Sequence, residues 1–593
     1  MAKEIRSIEN IPQEEVADIL ASKPTILIGS AISMFENTNL SSGVEFVNAL
    51  FGFIFHSDDF KKRDEHWLKK EFINMPFEAV MECYPRQEQL SSTLLNIFRT
   101  DEYNAYHESF AEKLEQNIIN SIITPNYDLT FDKKLKELNF DKFICTCNDY
   151  KAYLKTPGNV YFKIHGTAKK NFENTLIFTL SQEKNLPDWK FELLRKLIKN
   201  RIIIVIGYSG RDFDICPVLK QLGTYSKILW IAFEPDKTTS YQNDLIKAKS
   251  TNEIVKGDFS SFISRFFNKE IALNRSLKKF KAEEYFNLSD SERLHWQIKI
   301  LDRLGCARYM RPVLEKLKEK ISSEDYLKYK SDLYGHTGEY KKAAKVHLKL
   351  STIQPKNSGN YIKELLYASA SWLSHFSFLK AYWYQTKAER LIRNYFPNNN
   401  ELEFLLLSRQ IVFWSKIQQI FRPFRSRILR NINQLQNKIE NFKNNASLDD
   451  RQQIRLNLDR LGISTDFSPV SGYKGYNSLG IAAMALIAYR HKIERRQWDD
   501  DEIAFYELKD CIVRAENLGM SMEVWKLCKI RFKISRITAT DKKKDWVKWK
   551  NNLLATEYIF ARSFCERIDL YRSFLNYKYK TAFKNHRLKR PDF

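Results

Sequence analysis

The sequence predicts an α/β half followed by a mostly α-helical half. Three observations carry this. In the first part, short apolar runs alternate with helical stretches, the pattern of a parallel sheet with crossover helices. Four of those runs stop abruptly in small or polar residues, as strands do where an open sheet forms a crevice. Beyond about residue 270, Pro and Gly are rare and apolar residues recur at helical spacing, as in Trp372, Phe376, Phe378, Ala381, Trp383 and Tyr384.

Taken in order, the candidate strands are Thr25–Ile28, Ile119–Ile123, Val160–Ile164, Thr175–Phe178, Ile202–Ile206 and Ile228–Ala232. From about Phe51 to Glu115 the chain reads as inserted amphipathic helix. Helices near Leu186–Lys199 and Phe213–Leu222 separate the later strands, and one near Ser260–Phe267 closes the sheet domain. The expected architecture is a Rossmann-like parallel sheet. Asn268 to Lys281 is basic and without clear period, which places a boundary between a domain at 1–270 and a helical region at 271–593. In that region Tyr334, Gly338, Tyr340, Ala343 and Pro355 fall near the offsets of a tetratricopeptide unit, a helix hairpin that needs neighbours to bury its face. Irregular stacked helix pairs are the broader expectation. Pro397-Asn398-Asn399-Asn400 and the stretch around Asn444-Asn445-Ala446-Ser447 read as inter-helix loops. Ser468-Pro469-Val470-Ser471-Gly472 suggests a sub-boundary near 465–475.

Composition narrows the class. A chain of 593 residues is too long for one core, so two or three domains are expected. Hydrophobic content of 43% and aromatic content of 14% argue against disorder. No uninterrupted apolar run reaches about 18 residues, and the start, Met1-Ala2-Lys3-Glu4-Ile5-Arg6, has no apolar signal core. No membrane span and a cytoplasmic location are therefore expected. The 8 cysteines are too sparse for a disulfide framework. The nearest approach to a metal-binding pair, Cys145-Thr146-Cys147, has no second pair nearby, so no metal is expected. Residues 1–270 hold 35 Lys+Arg against 37 Asp+Glu, so the whole excess of positive charge, +26, lies in residues 271–593. Such a field concentrates anionic partners, whether nucleic acid or an acidic protein.

Four strand ends carry the candidate chemistry. Thr25 to Ile28 runs into Gly29-Ser30-Ala31-Ile32-Ser33, where backbone N–H groups can face an anion if a helix follows. The alternative is an ordinary strand-to-helix turn. Ile122-Ile123-Thr124-Pro125 leads to Asn126-Tyr127-Asp128; Asn and Asp are common turn formers as well as ligands for hydroxyls. Val160-Tyr161-Phe162-Lys163-Ile164 ends in His165-Gly166, which sets an imidazole with near-neutral pKa at a stiff strand tip. Ile202 to Ile206 ends in Gly207-Tyr208-Ser209-Gly210-Arg211-Asp212. Asp212 either caps a helix beginning near Phe213 or contacts ligand.

Together these segments resemble the sirtuin-like (Sir2-type) family, and most nearly its bacterial antiphage-defence branch, in which such a domain destroys NAD. The resemblance covers roughly the first 270 residues and rests on the order and spacing of all four motifs. It implies NAD as substrate, with Gly29, Ser30, Ala31 and Ser33 as the phosphate loop, although the family usually shows a second glycine where Ser30 or Ala31 stands. His165 is implied as base and Asn126 as the group that orients ribose and water. Asp128, Gly207, Ser209 and Asp212 are implied around the nucleotide, and Glu234 at a later strand end can read a ribose. The helical fold of Phe51 to Glu115 is implied to be a lid over the sheet edge. The family's zinc module is missing, which favours hydrolysis of NAD over deacylation of a bound protein.

The resemblance further implies an oligomeric abortive-infection effector, restrained until a phage-derived or partner-protein trigger engages the basic helical region. Two other classes stay open: an NAD-dependent deacylase, and a non-catalytic nucleotide sensor whose basic half binds nucleic acid. For the last, Arg422, Arg425, Arg427 and Arg430, the Lys542–Lys550 stretch with Trp546 and Trp549, and a tail from Tyr571 to Pro591 with seven Lys/Arg and no acid supply interleaved cations and rings. Each patch also reads as a solvated helix face.

Overall fold

The computed structural model describes residues 5–420 and 434, apart from 42, 56–65, 67, 70–71, 74, 76, 101, 180–181, 183–186, 211–214, 216–218, 220–226, 235–250, 276–279, 305, 376 and 398. The described chain forms two compact units, one through Ser289 and one from Asp290, with residues 66–68 grouped with the second.

The first unit is built on seven parallel strands: β1 (Thr25–Ile28), β2 (Ser121–Thr124), β3 (Phe143–Ile144), β4 (Val160–Lys163), β5 (Ile202–Ile206), β6 (Lys227–Ala232) and β7 (Glu253–Lys256). Their spatial order is β3-β4-β2-β1-β5-β6-β7. The central strand β1 pairs on both sides, with Leu27 level with Ile123 of β2 and Val205 of β5. Around the sheet lie α1 (Gln13–Ala21), α2 (Gly43–Ile54), α3 (Phe77–Glu82), α4 (Gln87–Phe98), α5 (Ala105–Glu115), α6 (Thr130–Glu137), α7 (Cys147–Lys155), α8 (Asp188–Ile198) and α9 (Phe259–Phe267). The arrangement is Rossmann-like, an α/β fold.

Both faces of the sheet are covered, which is why the inner strands are almost wholly apolar. Alternate residues serve opposite faces. Ile26, Ile28, Ile122, Ile204, Ile206 and Leu229 pack with Val16 and Ile19 of α1, Phe110 of α5, and Phe262 and Phe266 of α9. Leu27, Ile123, Phe162, Val205 and Trp230 pack with Tyr150 of α7 and Leu193, Leu194 and Leu197 of α8. Several helices begin where the sequence supplies a cap: Asn104 accepts from the Tyr106 and His107 amides, Thr146 from Asp149, and Asp258 from Ser261.

Two of the expected strands, Thr25–Ile28 and Ile202–Ile206, form with the expected bounds. Thr175–Phe178 forms no strand. Thr175 ends a 3-10 turn, and Leu176, Ile177 and Phe178 are buried in an irregular segment whose Ile177 N–H donates to the His165 carbonyl at 3.0 Å. A three-residue apolar run suits a buried loop as well as a strand. The outer edge of β7 is met by the chain's own beginning. Ser7 bridges to Lys256, the Lys256 N–H donates to the Arg6 carbonyl at 2.9 Å, and the Arg6 guanidinium binds Glu15 and Glu253.

The second unit is helical: α10 (Asp290–Leu304), α11 (Ala307–Leu317), α12 (Ser323–Thr337), α13 (Tyr340–Ile353), α14 (Gly359–Ser374), α15 (Phe378–Tyr395) and α16 (Asn400–Ile420). Gly338 closes α12 in the left-handed region, at φ 80°, so α12 and α13 form the hairpin that the Tyr334-to-Pro355 pattern anticipates. Tyr361, Leu365 and Leu366 of α14 pack with Ala388 and Ile392 of α15 and Leu402 and Leu406 of α16. The run from Trp372 to Tyr384 is two helices, since α14 ends at Ser374 and α15 begins at Phe378. No helix among the described residues is long and apolar enough to cross a membrane. The basic stretches beyond residue 420, the Asn444–Ser447 loop and the sub-boundary near 465–475 lie outside the described residues.

Candidate functional site

The strand order places a switch point beside β1. The chain leaves β1 toward β2 on one side and β5 toward β6 on the other, so a crevice opens beyond their C-terminal ends. Two glycines let those ends approach. The Gly29 N–H donates to the Ile206 carbonyl at 3.1 Å, and a Cβ on Gly29 would lie 2.3 Å from the Gly207 carbonyl oxygen. A Cβ on Gly207 would lie 2.5 Å from the Phe259 ring, and its φ of 65° already favours glycine. A 3-10 turn, Ser30–Met34, follows Gly29 instead of an α-helix. Its Ala31 N–H donates to the Gly207 carbonyl at 3.2 Å, so this amide braces the two loops and is spent before it can face an anion.

The next two strands deliver Asn126 and His165. At the end of β2 the Thr124 hydroxyl donates to the Ile28 carbonyl at 2.8 Å and accepts from the Asn126 N–H at 3.1 Å, turning the chain sharply after Pro125. Asn126 is buried, and its side-chain Nδ2 has no hydrogen-bond partner. A buried donor left unpaired costs about 1–3 kcal/mol, so this amide stands ready for an oxygen that enters the site. His165 follows β4 and is 1% exposed. Its ring lies 6.4 Å from that of Tyr127 at an interplanar angle of 29°, and the Tyr127 hydroxyl donates to the Ile177 carbonyl at 2.6 Å. Gly166, at φ 92°, makes the turn that follows.

Behind these groups lies a buried polar network. The Ser33 hydroxyl donates to Asp128 Oδ2 at 3.2 Å and lies 3.4 Å from His107 Nε2. Asp128 Oδ1 accepts from the Thr130 hydroxyl at 2.5 Å. His107 Nδ1 meets Asn104 Oδ1 at 2.8 Å, and the Asn104 Nδ2 donates to the Ile32 carbonyl. Burial pushes the His107 imidazole down to about 4, against the opposing pull of Asp128, so it is neutral near pH 7. Lys163, wholly buried, and the half-buried Asp132 form an ion pair, 3.0 Å apart. Desolvation raises the Asp132 carboxyl, and the Lys163 ammonium opposes that rise.

A cavity of about 680 Å³ joins these parts. Ser30, Ala31, Ser33, Asn126, Asp128, His165, Gly207, Ser209 and Glu234 all line it. Gly29 sits beneath it as the contact between β1 and β5, and Asp212 lies outside the described residues. The helical insertion contributes Phe77 and Phe98, so it borders the crevice at the strand ends, beside Phe46 just ahead of it. Arg275 also lines the cavity, with its guanidinium held by Glu45 at 2.6 Å. Sequence reasoning missed His107, Lys163 and Arg275. Lys163 had left a signal: a charged residue at the end of an otherwise apolar strand. Among the described residues no group of three or more His, Cys, Asp or Glu side chains is placed to hold a metal ion. Cys145 is buried and Cys147 exposed, with Thr146 between them capping α7.

A family model matches part of this unit. The match is to the SIR2-like domain, over residues 120–254. The SIR2-like segment spans β2 to β6 and enters β7, and so includes Asn126, Asp128, His165, Gly207, Ser209 and Glu234. Gly29 to Ser33 precede it in sequence and meet it in the cavity. SIR2-like domains are NAD-using enzymes, so the match supports NAD-related chemistry for the first unit. No curated protein matches the chain.

Proposed function

We propose that the first unit hydrolyses NAD at the bond between nicotinamide and ribose. One observation supports the reading: a buried carboxamide whose Nδ2 has no hydrogen-bond partner, Asn126, and an imidazole, His165, reach one cavity from adjacent strands β2 and β4. The cavity volume lies within the range of small-molecule sites, roughly 300–1,000 Å³, and the donors suit a sugar: the Asn126 Nδ2 can give a hydrogen bond to a ribose hydroxyl or a water. The His165 imidazole can accept a proton from either oxygen. Asp128 is held by Ser33 and Thr130, so it shapes the loop and leaves little of its carboxylate for ligand. The apolar residues of the insertion exclude bulk water from the sugar.

The reading extends to regulation. A hydrolase of a central cofactor must be restrained in a resting cell, and the +26 net charge of residues 271–593 suits engagement of an anionic trigger. We take the protein to be an antiphage effector, working as a homo-oligomer and released by a phage-derived or partner molecule at the helical region. The test incubates the full chain with NAD, with and without phage lysate, and separates the products. ADP-ribose and nicotinamide are expected. His165→Ala and Asn126→Ala should each lose about 10²–10⁴-fold. Undiminished turnover by either folded variant would end the reading. O-acetyl-ADP-ribose formed from an acetylated peptide would reassign the unit as a deacylase.

A further inference from the structure

The geometry points to Lys163 as a positioning residue that sets the spacing of Asn126 and His165 by clasping the two loops that carry them. This rests on the functional reading above and deepens it. Lys163 ends β4 with its side chain wholly buried. Four oxygens surround its three N–H groups: the Tyr127 carbonyl at 3.1 Å, the Asp128 carbonyl, Asp132 Oδ2 at 3.0 Å and Thr167 Oγ1 at 3.1 Å. The two carbonyls belong to the residues directly after Asn126. Thr167 lies two residues beyond His165. The Ala168 N–H adds a second link between the same loops, donating to the Tyr127 carbonyl at 2.7 Å.

The chemistry explains the rigidity. A buried ammonium drawn away from its carbonyl, hydroxyl and carboxylate partners is less well compensated at each lost contact, so the loops are held against drift. A buried ion pair is seldom the most stable choice for its volume, since apolar replacements are often neutral or better. Lys163 nevertheless lies at a strand end between Phe162 and Ile164, both fully buried. Its distinctive effect is to fix two loops relative to each other, and misplacement of reacting groups by about 1 Å can cost about 10²-fold in rate.

The test compares the full-length chain with Lys163→Met/Asp132→Leu, which removes both charges together. The melting temperature is expected to stay within about 4 °C, which is about 1–2 kcal/mol for a domain of this size. ADP-ribose binding by calorimetry should stay within about threefold, while kcat for NAD falls about 10²-fold. Hydrogen exchange of the peptide carrying Ala168 should quicken at least about tenfold, with peptides of β1 and β5 unchanged. Retained kcat or unchanged exchange in the folded double variant would overturn the proposal. Should that variant not fold, Thr167→Val removes one oxygen at constant bulk and is expected to show the same two changes in smaller degree; their absence there overturns it equally. A wild-type chain that neither cleaves NAD nor binds ADP-ribose refutes the functional reading, whereas normal wild-type activity with unaltered variants refutes only the clasp.

Discussion

Gly166→Ala tests how His165 is held. Gly166 has φ 92°, where an L-residue is strained by about 1–3 kcal/mol. The added Cβ would also sit 2.2 Å from the Thr175 carbonyl oxygen and 2.5 Å from its carbon. Those are backbone atoms, and Thr175 is fixed by its own N–H and hydroxyl bonds to Phe172. Overpacking against an element that cannot yield costs about 1–3 kcal/mol more. The sum, about 2–6 kcal/mol, should lower the melting transition of the first unit by at least about 4 °C, at about 2–4 °C per kcal/mol. Because the strain is relieved by moving the turn, His165 should shift relative to Asn126, and NAD cleavage should fall by about 10²-fold at 20 °C, where the unit stays folded. Calorimetry and product analysis on the same preparation give both numbers. A variant that melts with the wild type and turns over at the wild-type rate would refute the account of this turn.

Asn126→Leu should abolish NAD cleavage while leaving stability equal or about 1 kcal/mol higher, since it deletes an unpaired buried donor; a strongly destabilised variant would contradict the reading of that amide. His107 gives a pH signature. Between about pH 6.5 and 4 the unfolded chain takes up a proton that the folded chain refuses, so stability falls with pH through that window, by up to about 3 kcal/mol at pH 4. Denaturant melts of His107→Gln should show a shallower slope there, and identical slopes would contradict the assignment. Burial pushes the Cys145 thiol up to about 12, so maleimide at pH 7 should label exposed Cys147 and spare Cys145, as peptide mass mapping can check. In the second unit Gly338→Ala should cost about 1 kcal/mol in chemical denaturation, and no loss would mean that the left-handed cap is dispensable.

Much of the sheet was legible because its inner strands are buried on both faces. Ile26 to Ile28 and Ile203 to Ile206 leave no room for polar residues, and the sequence shows it. The edges were not legible: β3 is two residues long, and β7 mixes Glu253 and Lys256 with two apolar residues because one side lacks a neighbouring strand. Leu176 to Phe178 misled for the opposite reason, being apolar without pairing. At the site, the residues at strand tips could be read because Gly, Asn and His interrupt apolar runs. His107 could not. It sits on α5 between Tyr106 and Phe110, and only the fold shows that its ring lies against the Ser33 hydroxyl that donates to Asp128.

The strip formed by Arg6 and Ser7 along β7 bears on how molecules of this protein meet one another. An uncovered outer strand offers its amides and carbonyls to any other extended chain, and end-to-end polymerisation of sheets begins that way. Here the Lys256 amide is already engaged by Arg6, and the Arg6 guanidinium pins the strip to Glu253. A chain shortened past Ser7, or a bulky fusion that pulls this strip aside, should therefore sediment as larger species while its interior stays intact.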